Sequence, residues 1–240
     1  MTTYTVRLEG REDVAQGTMA FHFERPAGFI FKPGQTVDVV LNDAPTADAQ
    51  SSRHTFSIVS APFQGELVVA TRMRDSAFKR ALKSMPIGSP AKLEGPFGSL
   101  TLHKDRVRPA VFIAGGIGIT PFMSMLRQAA KDRSPHPLYL VYSNRRPEDA
   151  AFFAELQELE RENRNFRMLA TMTDMSKSAR QWDGETGLVN SDLLKRFVGG
   201  LASPVYYVVG PPAMVKAMQE TLRQAAVNDD DIRIEEFYGY

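Results

Sequence analysis

The chain has no cysteine, which excludes disulfide bridges and cysteine-held iron–sulfur clusters. Its four histidines, at positions 22, 54, 103 and 136, show no metal-site spacing, so no metal is expected. An excess of one charge is also missing: the formal net charge is +1, which gives no electrostatic ground for a nucleic-acid partner or an anionic membrane. No apolar run approaches the length of a bilayer span, so no membrane insertion is expected. The opening Met-Thr-Thr-Tyr-Thr-Val-Arg lacks the apolar stretch of a signal peptide, and the expected location is the cytoplasm. Repeats and low-complexity segments are absent. Any electron chemistry must therefore run on a bound organic cofactor.

What is present suits a folded protein: 240 residues, 43% hydrophobic and 24% charged, enough for one large domain or two small ones. The two halves read differently. Up to Leu102, β-like runs at Thr3–Leu8, Thr18–Glu24, Thr36–Leu41, Thr55–Val59, Leu67–Arg72 and Ala91–Glu94 are broken by turn residues such as Pro33-Gly34, Asn42-Asp43 and Pro62. They predict a six-stranded antiparallel β-barrel carrying one helix, Ser76–Ser84, with Phe78, Ala81 and Leu82 on one face. From Val111 onward strands and helices alternate. Strands are expected at Val111–Ala114, Leu138–Tyr142, Phe166–Ala170, Val205–Val209 and Ile232–Phe237, and helices at Pro121–Lys131, Glu148–Arg161 and Pro211–Ala226. That pattern predicts an α/β domain with a parallel five-stranded sheet. Charged His103-Lys104-Asp105-Arg106 marks the junction, giving domains 1–103 and 104–240.

The most telling segment is Val111-Phe-Ile-Ala-Gly-Gly-Ile-Gly-Ile-Thr-Pro121. Gly115, Gly116 and Gly118, with Ile117 between, let backbone approach a ligand closely, and a helix opening at Thr120 as N-cap and Pro121 as first residue would aim free N–H groups at a phosphate. The spacing is neither a Walker loop nor the usual dinucleotide fingerprint. In a parallel sheet, ligands sit at the carboxyl ends of strands. Two further ends are equipped there: Ser143, Asn144, Arg145 and Arg146 offer groups for ribose and phosphate, and Gly210-Pro211-Pro212-Ala213-Met214 offers a second close backbone approach.

The barrel half has its own cluster. Arg53-His54-Thr55-Phe56-Ser57 mixes a cation, an aromatic plane and hydroxyls; strand alternation puts Thr55 and Ser57 on one face, His54 and Phe56 on the other. Thr71-Arg72-Met73-Arg74-Asp75-Ser76 leads into the lone helix, another N-terminus suited to phosphate. From 72 to 83 the basic residues Arg72, Arg74, Lys79, Arg80 and Lys83 face one acidic residue, Asp75.

Taken in order, Arg53…Phe56-Ser57, Gly95-Pro96-Phe97-Gly98, Gly115–Pro121, Gly210–Met214 and Glu235-Glu236-Phe237 resemble the ferredoxin–NADP reductase family along nearly the whole chain. The resemblance implies a flavin-binding barrel followed by an NAD(P)-binding domain. Hydride would pass from NADPH or NADH to FAD, with FMN the less expected flavin, and electrons would then go to ferredoxin, flavodoxin or a small-molecule acceptor. It also implies Arg53 near the flavin phosphates, Phe56 against the ring, Ser57 near its N5 edge and a helix-start phosphate site near Phe78 and Lys79. Thr120 would lie beside the nicotinamide, and Glu236 with Phe237 and Tyr238 would close over the flavin, Tyr238 and Tyr240 acting as a gate or simply packing on the barrel. Ser57, Thr120 and Glu236 are thus the catalytic candidates. The basic stretch Arg72–Lys83 would receive an acidic carrier. Two residues stand between Arg53 and Phe56 where the family usually has one, which leaves the phosphate role open between Arg53 and His54. Val209 stands where many members carry cysteine. Three other readings share these features: a reductase using flavin as a diffusible substrate, an oxygenase reductase component with a separate iron–sulfur protein, and a non-catalytic flavin- or nucleotide-binding subunit.

Overall fold

A computed structural model describes residues 2–41 and 52–238; Asn42, Asp43 and Tyr240, named above, lie outside the described residues. The chain divides by packing into two units, residues 1–101 with 120–128, and residues 102–119 with 129–240.

In the first unit, strands β1 (Thr3–Ala15), β2 (Thr18–Glu24), β3 (Thr36–Val40), β4 (Arg53–Ser57), β5 (Glu66–Arg72) and β6 (Pro90–Phe97) form an antiparallel sheet in the order β4-β3-β6-β1-β2-β5. A bridge between Ile58 and Val69 joins its two ends, making the barrel. Alternate residues point inward, as the pleat requires, and Leu8, Phe21, Val37, Val39, Leu67 and Leu93 fill the interior. Helix α1 (Ala77–Ser84) covers one opening with Phe78 and Leu82. Ser76 starts it, its Oγ accepting from the Lys79 backbone N–H at 3.2 Å. Residues 120–128 are tied to this unit, the Ser124 hydroxyl donating to the Ser60 carbonyl at 2.7 Å and Arg127 to the Val59 carbonyl at 3.0 Å.

The second unit is built on strands β7 (Ala110–Gly115), β8 (Leu138–Asn144), β9 (Phe166–Met172), β10 (Glu185–Thr186), β11 (Val205–Gly210) and β12 (Ile232–Glu236). All run parallel, in the order β10-β9-β8-β7-β11-β12. The sheet therefore has six strands, one more than the five expected; β10 is two residues long, too short to leave a periodic signature. β7 and β11 are buried along their whole length, as central strands covered on both faces must be. The helices of this unit are α3 (Phe153–Glu162), α4 (Ser191–Val198) and α5 (Pro212–Gln224), whereas α2 (Thr120–Lys131) lies mostly in the first unit, to which residues 120–128 belong.

Two local expectations are corrected, and one helix is added. Thr120 is not an N-cap: a 3-10 turn over Gly116–Ile119 runs directly into α2, so helical winding begins at the glycines. The helix expected from Glu148 starts only at Phe153, because Pro147–Asp149 form a separate 3-10 turn and Phe152 is left-handed at φ 59°. Helix α4 was not anticipated, although its Asn190 cap and its closing Gly199, at φ 89°, are ordinary boundary residues.

The junction is clasped to β11. His103 and His136 meet edge to face, with ring centroids 4.5 Å apart, and their Nε2 atoms both lie on the Arg108 carbonyl, at 3.0 and 2.9 Å. A carbonyl only accepts, so both Nε2 atoms carry hydrogen. The Tyr207 hydroxyl then donates to His103 Nδ1 at 3.0 Å and accepts from the His103 backbone N–H at 2.8 Å.

Candidate functional site

In the barrel unit, the two faces of β4 do different work. Arg53 Nη1 is held by two carboxylates, Asp38 at 2.9 Å and Glu94 at 2.8 Å, and Thr55 donates to the same Asp38 at 2.5 Å. On the opposite face His54 stacks on Phe56, centroids 5.5 Å apart, and both rings meet Phe78 of α1, at 5.1 and 5.9 Å. Phe56 is buried within the barrel core. Asp38 was not anticipated; the signal was there, an aspartate alone inside the strand Thr-Val-Asp-Val-Val.

Lys79 is a second surprise. Among a run of basic residues that reads as surface, it is only 9% exposed, and its Nζ donates to the Arg72 carbonyl at 2.8 Å. Burial, followed by the nearby Arg74 charge, lowers its pKa, and burial followed by Lys79 does the same to His54. Arg80 is paired with Asp75. Thr71 is buried, Met73 packs on the barrel core, and the Ser76 cap stands at the head of α1. The result is a cation-rich corner at a helix N-terminus, where a bound anion would relieve the repulsion. One strand end away, Ser57 Oγ is buried with no hydrogen-bond partner, and Ser57 is 5% exposed. A buried hydroxyl left unmatched costs about 1–3 kcal/mol, which a ligand's polar edge would recover. These features fit a flavin carrying phosphate.

In the sheet unit, the three equipped strand ends are neighbours, since β8, β7 and β11 lie side by side. Gly115 is in register with Ser143 on one side, and on the other packs against Gly210, Pro211 and Met214. The three glycines of the turn serve different ends. A Cβ on Gly115 would come within 2.9 Å of Pro211 Cδ, and one on Gly118 within 2.7 Å of the Val209 carbonyl carbon, so these two permit close packing. Gly116 is the open one: its φ is +54° and nothing lies within 4 Å of where a Cβ would stand. Ile117 is buried beside it. Asn144 is 5% exposed, and neither its Oδ1 nor its Nδ2 has a partner. An amide with both ends unmatched at the carboxyl end of β8 fits a ligand rich in hydroxyls, as a ribose is.

The two arginines beside it part company. Arg145 is exposed. Arg146 is clamped on the buried Asp149, at 2.9 and 3.0 Å, and donates to the Lys177 carbonyl at 3.2 Å. Glu148 accepts from the backbone N–H groups of Ala179 at 2.8 Å and Arg180 at 3.2 Å and from the Ser178 hydroxyl. Its carboxyl is held below the usual range, first by its own backbone N–H and then by these donors. In the chain's last described stretch the Phe237 N–H donates to the Gly210 carbonyl at 2.9 Å, and Tyr238, 75% exposed, has its hydroxyl on Glu236. Thr120 and Pro121 are both buried in the first turn of α2. Among the described residues no helix is long and apolar enough to cross a membrane.

The architecture is an antiparallel barrel followed by a parallel sheet, with glycine, amide and hydroxyl groups at the sheet's central strand ends. The family model described as oxidoreductase NAD-binding domain matches residues 112–220. Ferredoxin–NADP reductase B of Sorangium cellulosum is 28% identical over 229 residues, covering 92% of this chain and 91% of that one. The reductase component of propane 2-monooxygenase from Mycolicibacterium smegmatis is 29% identical over 221 residues, 88% of this chain and 60% of the relative, so this chain spans only part of that protein's length. In fold, it superposes on a ferredoxin NADP+ reductase from Neisseria gonorrhoeae, solved with bound FAD and NADP, at a TM-score of 0.79 with 22% identity, covering 98% of both chains. The Amycolatopsis cytochrome P450 reductase GcoB gives 0.83 with 20% identity, covering 98% of this chain and 70% of that one. Residues 112–220 thus match an NAD-binding domain, and over nearly its whole length the chain is similar to a ferredoxin–NADP reductase.

Proposed function

We propose that the chain is a flavoenzyme that takes hydride from NADH or NADPH onto bound FAD and delivers electrons to an acceptor of the ferredoxin or flavodoxin type. The observation that carries this reading is a buried polar side chain without a partner in each unit, Ser57 in the barrel and Asn144 at the end of β8. Both stand in segments marked out by residue type alone. When bound, FAD supplies the capacity to accept a hydride and release electrons one at a time. Ser57 would meet the polar edge of its ring; Lys79 and the first N–H groups of α1 would hold its phosphates. Asn144 and Ser143 would read a nucleotide ribose, with Gly116 giving room for the pyrophosphate, while Gly210 packs on Gly115. Thr120 and Glu236 are assigned to positioning the nicotinamide for transfer.

A second acceptor is favoured by specific relatives. Besides the propane 2-monooxygenase component, a glycine betaine monooxygenase reductase subunit from Chromohalobacter salexigens is 26% identical over 86% of this chain and 56% of its own length. An oxygenase component as electron acceptor is therefore the alternative. The purified protein's visible spectrum, followed while NADH and NADPH are titrated separately, tests the core reading: bleaching of a flavin band is expected. A colourless protein that reduces free flavin would instead make flavin a substrate, and no bleaching with flavin bound would leave a binding subunit. Stopped-flow reduction of Thr120→Val and Glu236→Gln variants should be slowed, and unchanged rates would remove both from the transfer step.

A further inference from the structure

The family resemblance leaves the phosphate role open between Arg53 and His54, and the geometry separates them. Arg53 spends its charge on Asp38 and Glu94, at 2.9 and 2.8 Å, on one face of β4. His54 is on the other face, its ring 5.1 Å from that of Phe78 in the first turn of α1. It is thereby placed at the helix start that also holds the buried Lys79. We propose that His54, in its protonated form, is the β4 cation that grips a flavin phosphate, so that FAD is held more tightly in acid than in alkali. The proposal rests on the flavin-binding reading above and concerns only residues of the barrel.

The groups facing the imidazole set the direction. Lys79 from α1 repels a proton on His54, with Arg74 reinforcing the positive charge around Lys79. Asp38 from β3 attracts the proton, but it is already shared between Arg53 and Thr55. Val39 of β3, opposite His54, contributes no charge. Without an anion the balance favours neutral imidazole. A diphosphate at the head of α1 reverses that balance, because its charge is attracted by both Lys79 and an imidazolium. Binding and proton uptake are then linked: FAD binding draws a proton onto His54, and lowering the pH favours binding. An arginine, charged at every working pH, would show no such dependence.

The test uses the full chain stripped of flavin and titrated with FAD by fluorescence quenching between about pH 5.5 and about pH 8.5, the range in which imidazole changes charge. Affinity of the wild type should rise by about tenfold toward acid, the equivalent of one pK step. His54→Gln should bind at a pH-independent level, and His54→Arg should bind tightly throughout. Riboflavin, which lacks phosphate, should bind the wild type with no such trend. FAD affinity that is flat with pH in the wild type, a slope that survives in His54→Gln, or an equal slope with riboflavin would each overturn the proposal. Failure of the folded wild type to bind FAD at any pH would instead overturn the flavin reading itself.

Discussion

The backbone of Gly118 lies against the carbonyl of Val209 with no room for a β-carbon. Gly118→Ala must push the 3-10 turn away from β11, and overpacking of this kind costs about 1–3 kcal/mol. Gly116→Ala meets empty space and bears only its left-handed backbone, about 1–2 kcal/mol. Thermal melts should rank the two in that order, while nucleotide affinity should fall in the Gly116 variant if that position is where a pyrophosphate approaches the chain. A Gly116 variant with unaltered affinity would make the turn a packing device alone.

Asn144 should trade stability for binding. Replacing it with leucine, which keeps the branched outline with bulkier ends, removes two unmatched polar groups and should leave the melting temperature unchanged or higher. Nucleotide affinity should drop by about tenfold, or about 1.4 kcal/mol. A clear loss of stability in Asn144→Leu would show that the amide has a role within the fold.

The arginines of the β8 loop should separate in the same way. Arg146→Ala strands the buried Asp149 carboxylate, so it should lower the melting temperature by several degrees. Arg145→Ala should leave the melting temperature alone and weaken nucleotide binding. Comparing NADH with NADPH in the Arg145 variant would report whether this exposed guanidinium meets a 2′-phosphate: a larger loss for NADPH is the expected result.

Acid should loosen the junction clasp. Burial, its largest cause in each case, lowers the pKa of His103 and of His136, the latter also through His103 itself. The unfolded chain therefore takes up protons that the native state refuses, and stability falls as pH drops from the ordinary imidazole range through the lowered native values. His136→Gln, which keeps a donor for the Arg108 carbonyl, should flatten the fall in melting temperature between about pH 7.5 and about pH 5.5. The same slope in the variant would place the acid sensitivity on another imidazole, with His103 the next residue to replace.

The sequence made the larger elements legible because their periods are strong: alternation in the barrel, continuous apolar runs in β7 and β11, and turn residues between. The segments of the candidate site were legible for a related reason, since glycine, asparagine and hydroxyl residues at strand ends are poor choices for packing alone. Contacts at a distance in sequence were not legible. Nothing local shows that Lys79 turns inward, that Asp38 and Glu94 claim Arg53, or that Gly115 and Gly118 are needed by a strand some ninety residues away. Those depend on which strands become neighbours, and the β7–β11 pairing is set only when the chain crosses back over its own first parallel strand.

The two-residue β10 also has a bearing on self-association. It ends one edge of the parallel sheet, pairing with β9 only through Glu185–Thr171 and Thr186–Met172. An incoming strand from another copy finds too short a ladder to extend. A margin this short protects a chain against edge-to-edge aggregation while it is being made and folded.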